Sequence, residues 1–216
     1  MVTPLGLHQQ KNTGLSFVTE NYNLRQNNMT KYINDSFYIE KIKAGDVQAF
    51  SVIVSRYKDK VFSIVYRIIN NREDAEDLTQ EIFIKLFKSI NGFKNESEFS
   101  TWLYRIAYNT TLTELRRRKV SFFSVDENPL ILNENEPFDE IFLEEGENRI
   151  IYLQKAMDLL LPNDLFIVSL YYTEGKSVQE IAGIVGQTES NVKVKLHRIR
   201  KKLAQEINRL MKEDIQ

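Results

Sequence analysis

Between residues 120 and 148 the chain carries nine carboxylates (Asp126, Glu127, Glu134, Glu136, Asp139, Glu140, Glu144, Glu145 and Glu147) and neither lysine nor arginine. With Pro129, Pro137 and no sustained apolar period, that stretch cannot form a core of its own and reads as an extended acidic linker between two folded pieces. Setting it aside turns a net charge of -1 into about +8 for the rest of the 216-residue chain. Near-neutrality would be unusual for a nucleic-acid binder if the charges were evenly mixed, and they are not. A solvated spacer and a functional acidic segment are both open readings of the linker.

The remaining composition excludes several classes. Its 42% apolar content suffices for compact cores. No run approaches the ~18 to 20 apolar residues of a bilayer span, and no charged lead with an apolar stretch and cleavage site opens the chain, so it is expected in the cytoplasm without membrane insertion. The absence of cysteine excludes a disulfide scaffold, a thiolate zinc site and a cysteine nucleophile, while His8 and His197 lie too far apart in sequence for a local metal pair. No cofactor is expected. Residues 1–33 carry only Lys11, Glu20, Arg25 and Lys31 as charges among many Asn, Gln and Thr, and are expected to form a mobile tail. Met29 is an alternative start, because helical patterning begins just after it.

The first folded piece, residues 34–119, is helical throughout. Asp35 and Asp46 precede helix-like runs as N-cap candidates, with Gly45 between them. The second run continues to Asn70, with room for a break near Lys58. Asn71 then caps a helix through Ile90, with Glu73 and Asp74 in its first turn, where the dipole favours anions. Another helix covers residues 100–118. Strand-like alternation is absent, which predicts a small helical bundle.

The second piece, residues 149–212, reads as four helices. The first covers residues 149–160. Pro162 opens the second, at a position where a missing amide hydrogen costs nothing. Ser177 with Glu180 forms a capping box opening the third, which ends at Gly186, and Thr188 caps a long basic fourth. Two helices joined by a short glycine-containing turn, the second of them basic, fit a helix-turn-helix. The fold class is therefore all-α: two small helical domains joined by a flexible acidic linker, the second containing a helix-turn-helix.

On that basic helix, Val192, Leu196, Ile199, Leu203, Ile207 and Leu210 fall on one narrow stripe at 3.6 residues per turn. Ser190, Val194, His197 and Lys201 lie opposite it, flanked by Lys193 and Arg198. Residues 189–202 hold six cations and one anion, and the cations begin in the first turns, where the dipole disfavours them. That pattern points to duplex DNA. Ser190, Asn191, Lys193, Val194, His197 and Arg198 suit base or near-base contacts, Lys195, Arg200 and Lys202 suit phosphates, and the capping Thr188 completes the DNA-binding set.

The helix after Asn71 has an apolar arc wider than a surface helix needs. Leu78, Ile82, Ala75, Leu86 and Ile90 make one stripe; Phe83, Phe87 and Ile84 extend it, beside Asp77 and Gln80. Such an arc means burial on two sides or a docking surface. Downstream, Phe93, Lys94, Asn95, Glu96, Ser97, Glu98 and Phe99 lead into a helix carrying Trp102, Tyr104, Arg105, Tyr108 and Asn109 and ending in Arg116, Arg117 and Arg118. Aromatic faces, amides and cations together suit single-stranded DNA, although Trp102 and one tyrosine are expected to pack in the bundle.

Four motifs now stand in order: Asp74-Ala75-Glu76-Asp77-Leu78-Thr79-Gln80-Glu81-Ile82-Phe83, Phe99-Ser100-Thr101-Trp102-Leu103-Tyr104-Arg105-Ile106-Ala107-Tyr108-Asn109, Glu174-Gly175-Lys176-Ser177-Val178-Gln179-Glu180-Ile181-Ala182 and Ser190-Asn191-Val192-Lys193-Val194-Lys195-Leu196-His197-Arg198. Across residues 34–210 the chain resembles the extracytoplasmic-function group of the sigma-70 family. The resemblance implies a dissociable initiation subunit of bacterial RNA polymerase, with region 2 in the first domain and region 4 in the second. It implies a core polymerase contact through Asp74, Asp77, Gln80, Glu81, Phe83, Ile84 and Phe87. It also implies capture of an unpaired minus-ten base on the non-template strand by Phe93, Lys94, Asn95, Ser97, Phe99, Trp102, Arg105 and Asn109, with Arg116 nearby. The basic helix would read the minus-thirty-five element as duplex. An anti-sigma protein, commonly membrane-anchored in relatives, would be a further partner. The chemistry would be the polymerase's, so the chain itself is not expected to be an enzyme.

The chain departs from the family pattern at Thr113, where many relatives carry aspartate or asparagine, and in lacking an early arginine in the helix opening at Pro162. Two rival readings compete. A two-domain helix-turn-helix regulator would bind promoters without core polymerase. A nucleotide hydrolase is prompted by Gly175-Lys176-Ser177, but a phosphate loop needs a glycine where this chain has Leu170 and a preceding strand where it has a helix. Asp74, Asp77 and Glu81 are better explained as helix-start acids and docking contacts than as a metal cluster.

Overall fold

The computed structural model describes residues 34–118 and 147–214; the expected N-terminal tail and nearly all of the acidic linker lie outside the described residues. All regular structure among the described residues is helical. In chain order the helices are α1 (Asp35–Lys43), α2 (Val47–Ile69), α3 (Arg72–Ser89), α4 (Phe99–Arg117), α5 (Glu147–Asp158), α6 (Pro162–Val168), α7 (Val178–Val185) and α8 (Glu189–Glu213). A 3₁₀ turn, Ile90–Gly92, follows α3, and a π-helical turn, Ser169–Thr173, extends α6.

The boundaries follow local chemistry. Asp46 accepts the amide of Ala49 at 3.2 Å and Asn71 that of Asp74 at 3.0 Å, so each satisfies an amide that a helix start leaves unpaired. At the first helix the capping residue is Asn34, which accepts from the Ser36 amide, and not Asp35. Asp35 turns inward instead, to the Arg56 guanidinium and, at 2.5 Å, to the Tyr57 hydroxyl. No break occurs at Lys58: α2 runs uninterrupted because Ile53, Tyr57, Val61, Ile64, Val65 and Ile68 keep one buried stripe across that position. Asn70, with φ of 52°, turns the chain from α2 into α3.

In the second half, Pro162 occupies the first turn of α6. Ser177 and Glu180 make both halves of the capping box of α7, Gly186 terminates it with φ of 67°, and Thr188 accepts the Asn191 amide to open α8. The helix-turn-helix is therefore present as α7 and α8. Gly175, Lys176 and Ser177 follow a π-helical turn, and the Lys176 ammonium is committed to Ser100 and Glu180, which removes the phosphate-loop reading.

The two helical domains are present as α1 to α4 and α5 to α8, and they share packing. Buried residues of α1 to α4 and of α5 to α8 form one continuous apolar cluster, joined where α4 lies against α7 and α2 against α6. The physical cause is α4. At 3.6 residues per turn, Phe99, Leu103 and Ala107 line one side and meet the first bundle. Thr101, Tyr104, Tyr108 and Leu115 line a second side and are buried too, Tyr108 edge-on against Phe166 with ring centroids 5.1 Å apart. The second half of the molecule covers an arc the first cannot bury alone.

Candidate nucleic-acid and polymerase interfaces

Three surfaces carry the residues singled out from sequence. The first lies on α3. Asp77, Gln80, Glu81, Ile84 and Phe87 fall within one arc and are exposed, with Ile84 at 53% and Phe87 at 40%. Phe87 is braced edge-on by Phe50, ring centroids 4.9 Å apart. A groove between α2 and α3, lined in part by Val54, Phe62, Phe83 and Ile84, runs alongside. Phe83 itself is 6% exposed and belongs to the core, so it shapes this face from below and does not stand on it. Asp74 is engaged by the Arg118 guanidinium at 2.8 Å and Glu81 by Lys85 at 2.7 Å. Both acids are thus held in ion pairs.

The second surface is the free side of α4. Trp102, Arg105, Asn109, Thr113 and Arg116 fall within about 80° of one another at 3.6 residues per turn. Arg105, Asn109, Thr113 and Arg116 are exposed and Trp102 half-buried. The loop ahead of α4 places Lys94, Asn95 and Ser97 in solvent beside them, with Asn95 in the left-handed region at φ of 58°. Phe93 and Phe99 do not join them. They are 5% and 3% exposed, pack against each other, and lie with ring centroids 5.1 and 6.1 Å from Trp102. A half-exposed indole needs a floor, and these two rings supply it. Lys43 donates to the Phe93 carbonyl at 2.9 Å, tying the loop to α1.

Arg117 and Arg118 converge on Glu114, whose carboxyl their hydrogen bonds hold at about 2, Arg117 first, against the opposing effect of burial. Arg116 stays outside that cluster, on the Asn109 side. Next to this face, Lys85, Lys88 and Ser89 of α3 form a shallow groove with Asn109, Thr110 and Thr113. Sequence reasoning missed those two lysines, because on the helix alone they look like an ordinary basic C-terminal turn.

The third surface is α8. Val192, Leu196, Ile199, Leu203 and Ile207 are buried as the apolar stripe requires. Thr188, Ser190, Asn191, Lys193, Lys201 and Lys202 are exposed; Val194, Lys195, His197, Arg198 and Arg200 are half-buried. The expectation that Val194 and His197 stand clear of the protein is thus only partly met. Arg200 is not extended for a phosphate: its Nε donates to the Tyr172 hydroxyl at 2.8 Å and its guanidinium lies over the Tyr171 and Tyr172 rings at 5.4 and 5.7 Å. On the other flank, burial raises Asp164 of α6, while Lys195, Lys202 and Arg198 pull it back down. That carboxyl lies in the field of three cations of the basic helix, and nothing in the α8 sequence announces it.

Family models described as Sigma-70 region 2 and Sigma-70, region 4 match residues 53–120 and 150–203. The chain is 33% identical over 183 residues to the ECF RNA polymerase sigma factor SigW of Bacillus subtilis (strain 168), which covers 80% of this chain and 96% of that protein. The chain belongs to the extracytoplasmic-function sigma-70 family. Its function is that of an RNA polymerase sigma factor, directing core polymerase to promoters at transcription initiation. The ECF RNA polymerase sigma-E factor of Haemophilus influenzae is also 33% identical, over 190 residues, covering 85% of this chain and all of that one. In fold, this sigma factor is similar to CnrH, solved in complex with the cytosolic domain of CnrY (TM-score 0.58, 17% identity, 81% of this chain and 97% of that one). It is likewise similar to the sigma factor RpoE from Bartonella quintana, solved with the anti-sigma factor NepR (TM-score 0.57, 20% identity, 75% and 98%). No helix among the described residues is long and apolar enough to cross a membrane.

Proposed function

We propose that the three surfaces divide the work of this sigma factor. Residues 34–119 act as the core-binding and minus-ten unit, and residues 149–212 as the minus-thirty-five unit, with the acidic segment between them. The exposed arc of α3, centred on Ile84 and Phe87 and rimmed by Asp77, Gln80 and Glu81, docks on core polymerase. An apolar patch held out of the core by design of the helix face, with a charged rim, is what a dissociable subunit needs.

The free side of α4 takes the unpaired non-template strand. Extracting one base costs a few kcal/mol, and stacking on Trp102 with hydrogen bonds from Asn109 and Arg105 offsets that. Phe93 and Phe99 act through their support of Trp102, and Lys94, Asn95 and Ser97 line the entrance. The exposed first turns of α8, from Ser190 to Lys193, enter the major groove of the upstream element, while Lys195 and Lys202 meet phosphates. Bond-making belongs to the polymerase, in the cytoplasm, and an anti-sigma protein is the partner proposed to restrain the free chain.

The observation that carries this reading is that one chain combines an exposed aromatic, amide and arginine side on α4, an exposed basic side on α8 and an exposed apolar arc on α3. The test is transcription in vitro with purified core polymerase on genomic fragments, with Ile84→Asp and Phe87→Asp as variants. Both are expected to fold, to lose co-elution with core and to lose specific transcripts. Promoter binding by the free chain, undiminished by those changes and independent of core, would instead mark a regulator that is not a polymerase subunit.

A further inference from the structure

On the free side of α4, Trp102, Ile106, Asn109 and Thr113 follow one another at steps of four, three and four residues. At 3.6 residues per turn they fall within about 60° of one another and make one straight ridge. The last turns of α3 run beside it: Lys85, Lys88 and Ser89 line a groove of about 450 Å³ with Ile106, Asn109, Thr110 and Thr113. Its two walls differ in chemistry. Ile106 is half-buried and supplies apolar surface. The Thr113 hydroxyl donates to the Asn109 carbonyl at 2.8 Å, so its proton is committed to the helix and its γ-methyl is left as a second apolar group. Across the groove, the Lys85 ammonium pairs with Glu81 at 2.7 Å and reaches the Thr110 hydroxyl oxygen at 3.4 Å, which leaves a third proton for a ligand. Lys88 is exposed one turn further on, and Ser89 spends its hydroxyl proton on the Lys85 carbonyl at 2.7 Å.

We propose that this groove is a second base subsite, selective for thymine in the unpaired non-template strand, beside the base captured at Trp102. The inference rests on the α4 reading above and deepens it by naming a base. A cationic, donor-only wall facing an apolar one, in line with Trp102, fits a nucleotide: an anionic backbone and a flat ring with an apolar edge. Thymine carries its C5 methyl next to its O4 acceptor. The methyl packs on Ile106 and the Thr113 methyl, O4 accepts from Lys85, and Lys88 neutralises the adjoining phosphate. Cytosine and adenine place an amine where O4 would lie, against an ammonium that cannot accept. Guanine has the acceptor but no methyl for the apolar wall, and uracil lacks only the methyl. The spacing agrees. Seven residues from Trp102 to Asn109 are about 10 Å of helix, or about three stacked nucleotide steps at ~3.4 Å.

The test uses holoenzyme assembled from the full chain and core polymerase. It is offered non-template oligonucleotides covering the minus-ten region of a promoter it transcribes, with the unpaired positions randomised. Retained strands are expected to carry thymine at one position within about three nucleotides of the base whose selection Trp102→Ala relaxes. There, deoxyuridine should weaken retention about fourfold, the effect of one buried methyl group, and deoxycytidine at least about tenfold. Thr113→Ser keeps the hydroxyl and removes the methyl, and is expected to erase the preference for thymine over uracil alone. Lys85→Ala is expected to erase the preference for thymine over cytosine and keep that over uracil. Co-elution with core polymerase checks that both variants fold. Retained strands without a thymine position, or a preference that survives its own variant, would overturn the subsite and leave the α4 reading standing. Retention no better than that of unrelated strands would overturn the α4 reading together with the subsite.

Discussion

The two helices proposed to meet DNA, α4 and α8, are built on opposite plans. One narrow apolar stripe, with Ala204 beside it, anchors α8, and most other positions are exposed or half-buried. By contrast α4 is buried on two sides, with Leu103 and Ala107 against its own bundle and Tyr104 and Tyr108 against the second half of the molecule. Only the remaining third is available to a ligand. Residue chemistry therefore reads directly as function on α8 and ambiguously on α4, where an aromatic can be core, contact between the halves or exposed surface.

That contrast can be broken most severely at Phe99. If it is a core residue under Trp102, Phe99→Ala costs about 3 to 5 kcal/mol in urea denaturation. Asn109→Ala, on the free side, should leave stability within about 0.5 kcal/mol. It should nonetheless reduce melting, measured as permanganate reactivity of unpaired thymines. A stable Phe99→Ala protein with lost melting would move that ring from the floor to the binding surface.

A smaller effect separates the two flanks of α8. Lys193 is exposed, whereas Arg198 shares the field of Asp164 with Lys195 and Lys202. Lys193→Ala is expected to cost ~1 to 3 kcal/mol at the upstream element if it touches a base. Arg198→Ala should cost less, because its side chain is half-buried and less available to the duplex than Lys193. Competition with unrelated duplex distinguishes the roles, since equal loss on all sequences marks a phosphate contact.

The smallest effect concerns pH and the contact between the two halves. Burial pushes the Glu180 carboxyl up, but hydrogen bonds from Lys176, the Ser177 amide, Thr101 and the Ser177 hydroxyl outweigh it and hold it at about 2. A carboxyl depressed below its ordinary 4.5 contributes stability that is complete above that value and is lost as pH falls through about 2. The contribution of Glu180 should thus be flat from pH 8 to 5 and decline only below about 4.5. Urea titrations of wild type and Glu180→Gln should converge at low pH and differ at neutral pH.

Much of this was legible in advance for a local reason. Caps, the Ser177 and Glu180 box, the Gly186 terminator and the α8 stripe depend on residues within four positions of each other, and the structure reproduces them. The first cap was displaced by one residue because Asp35 found partners in Arg56 and Tyr57, 21 and 22 positions away. Phe83, Phe93 and Phe99 could not be separated from Ile84, Phe87 and Trp102 by type, since aromatic and aliphatic side chains serve cores and interfaces alike. Lys85 and Lys88 were overlooked because their groove exists only once α3 and α4 lie side by side.

By itself the sequence determined the helices, their caps, the basic rod proposed to enter DNA and the segregation of charge into a linker and two positively charged halves. These are set by short-range periodicity and counting. Tertiary structure alone decided which aromatics are floor and which are surface, and that Tyr104, Tyr108 and Thr101 close onto Glu174, Asn163 and Glu180. The reason is that burial and polar pairing where the two halves meet depend on which distant surfaces come together, and hydrogen bonds between residues 55 to 79 positions apart leave no periodic trace in the chain.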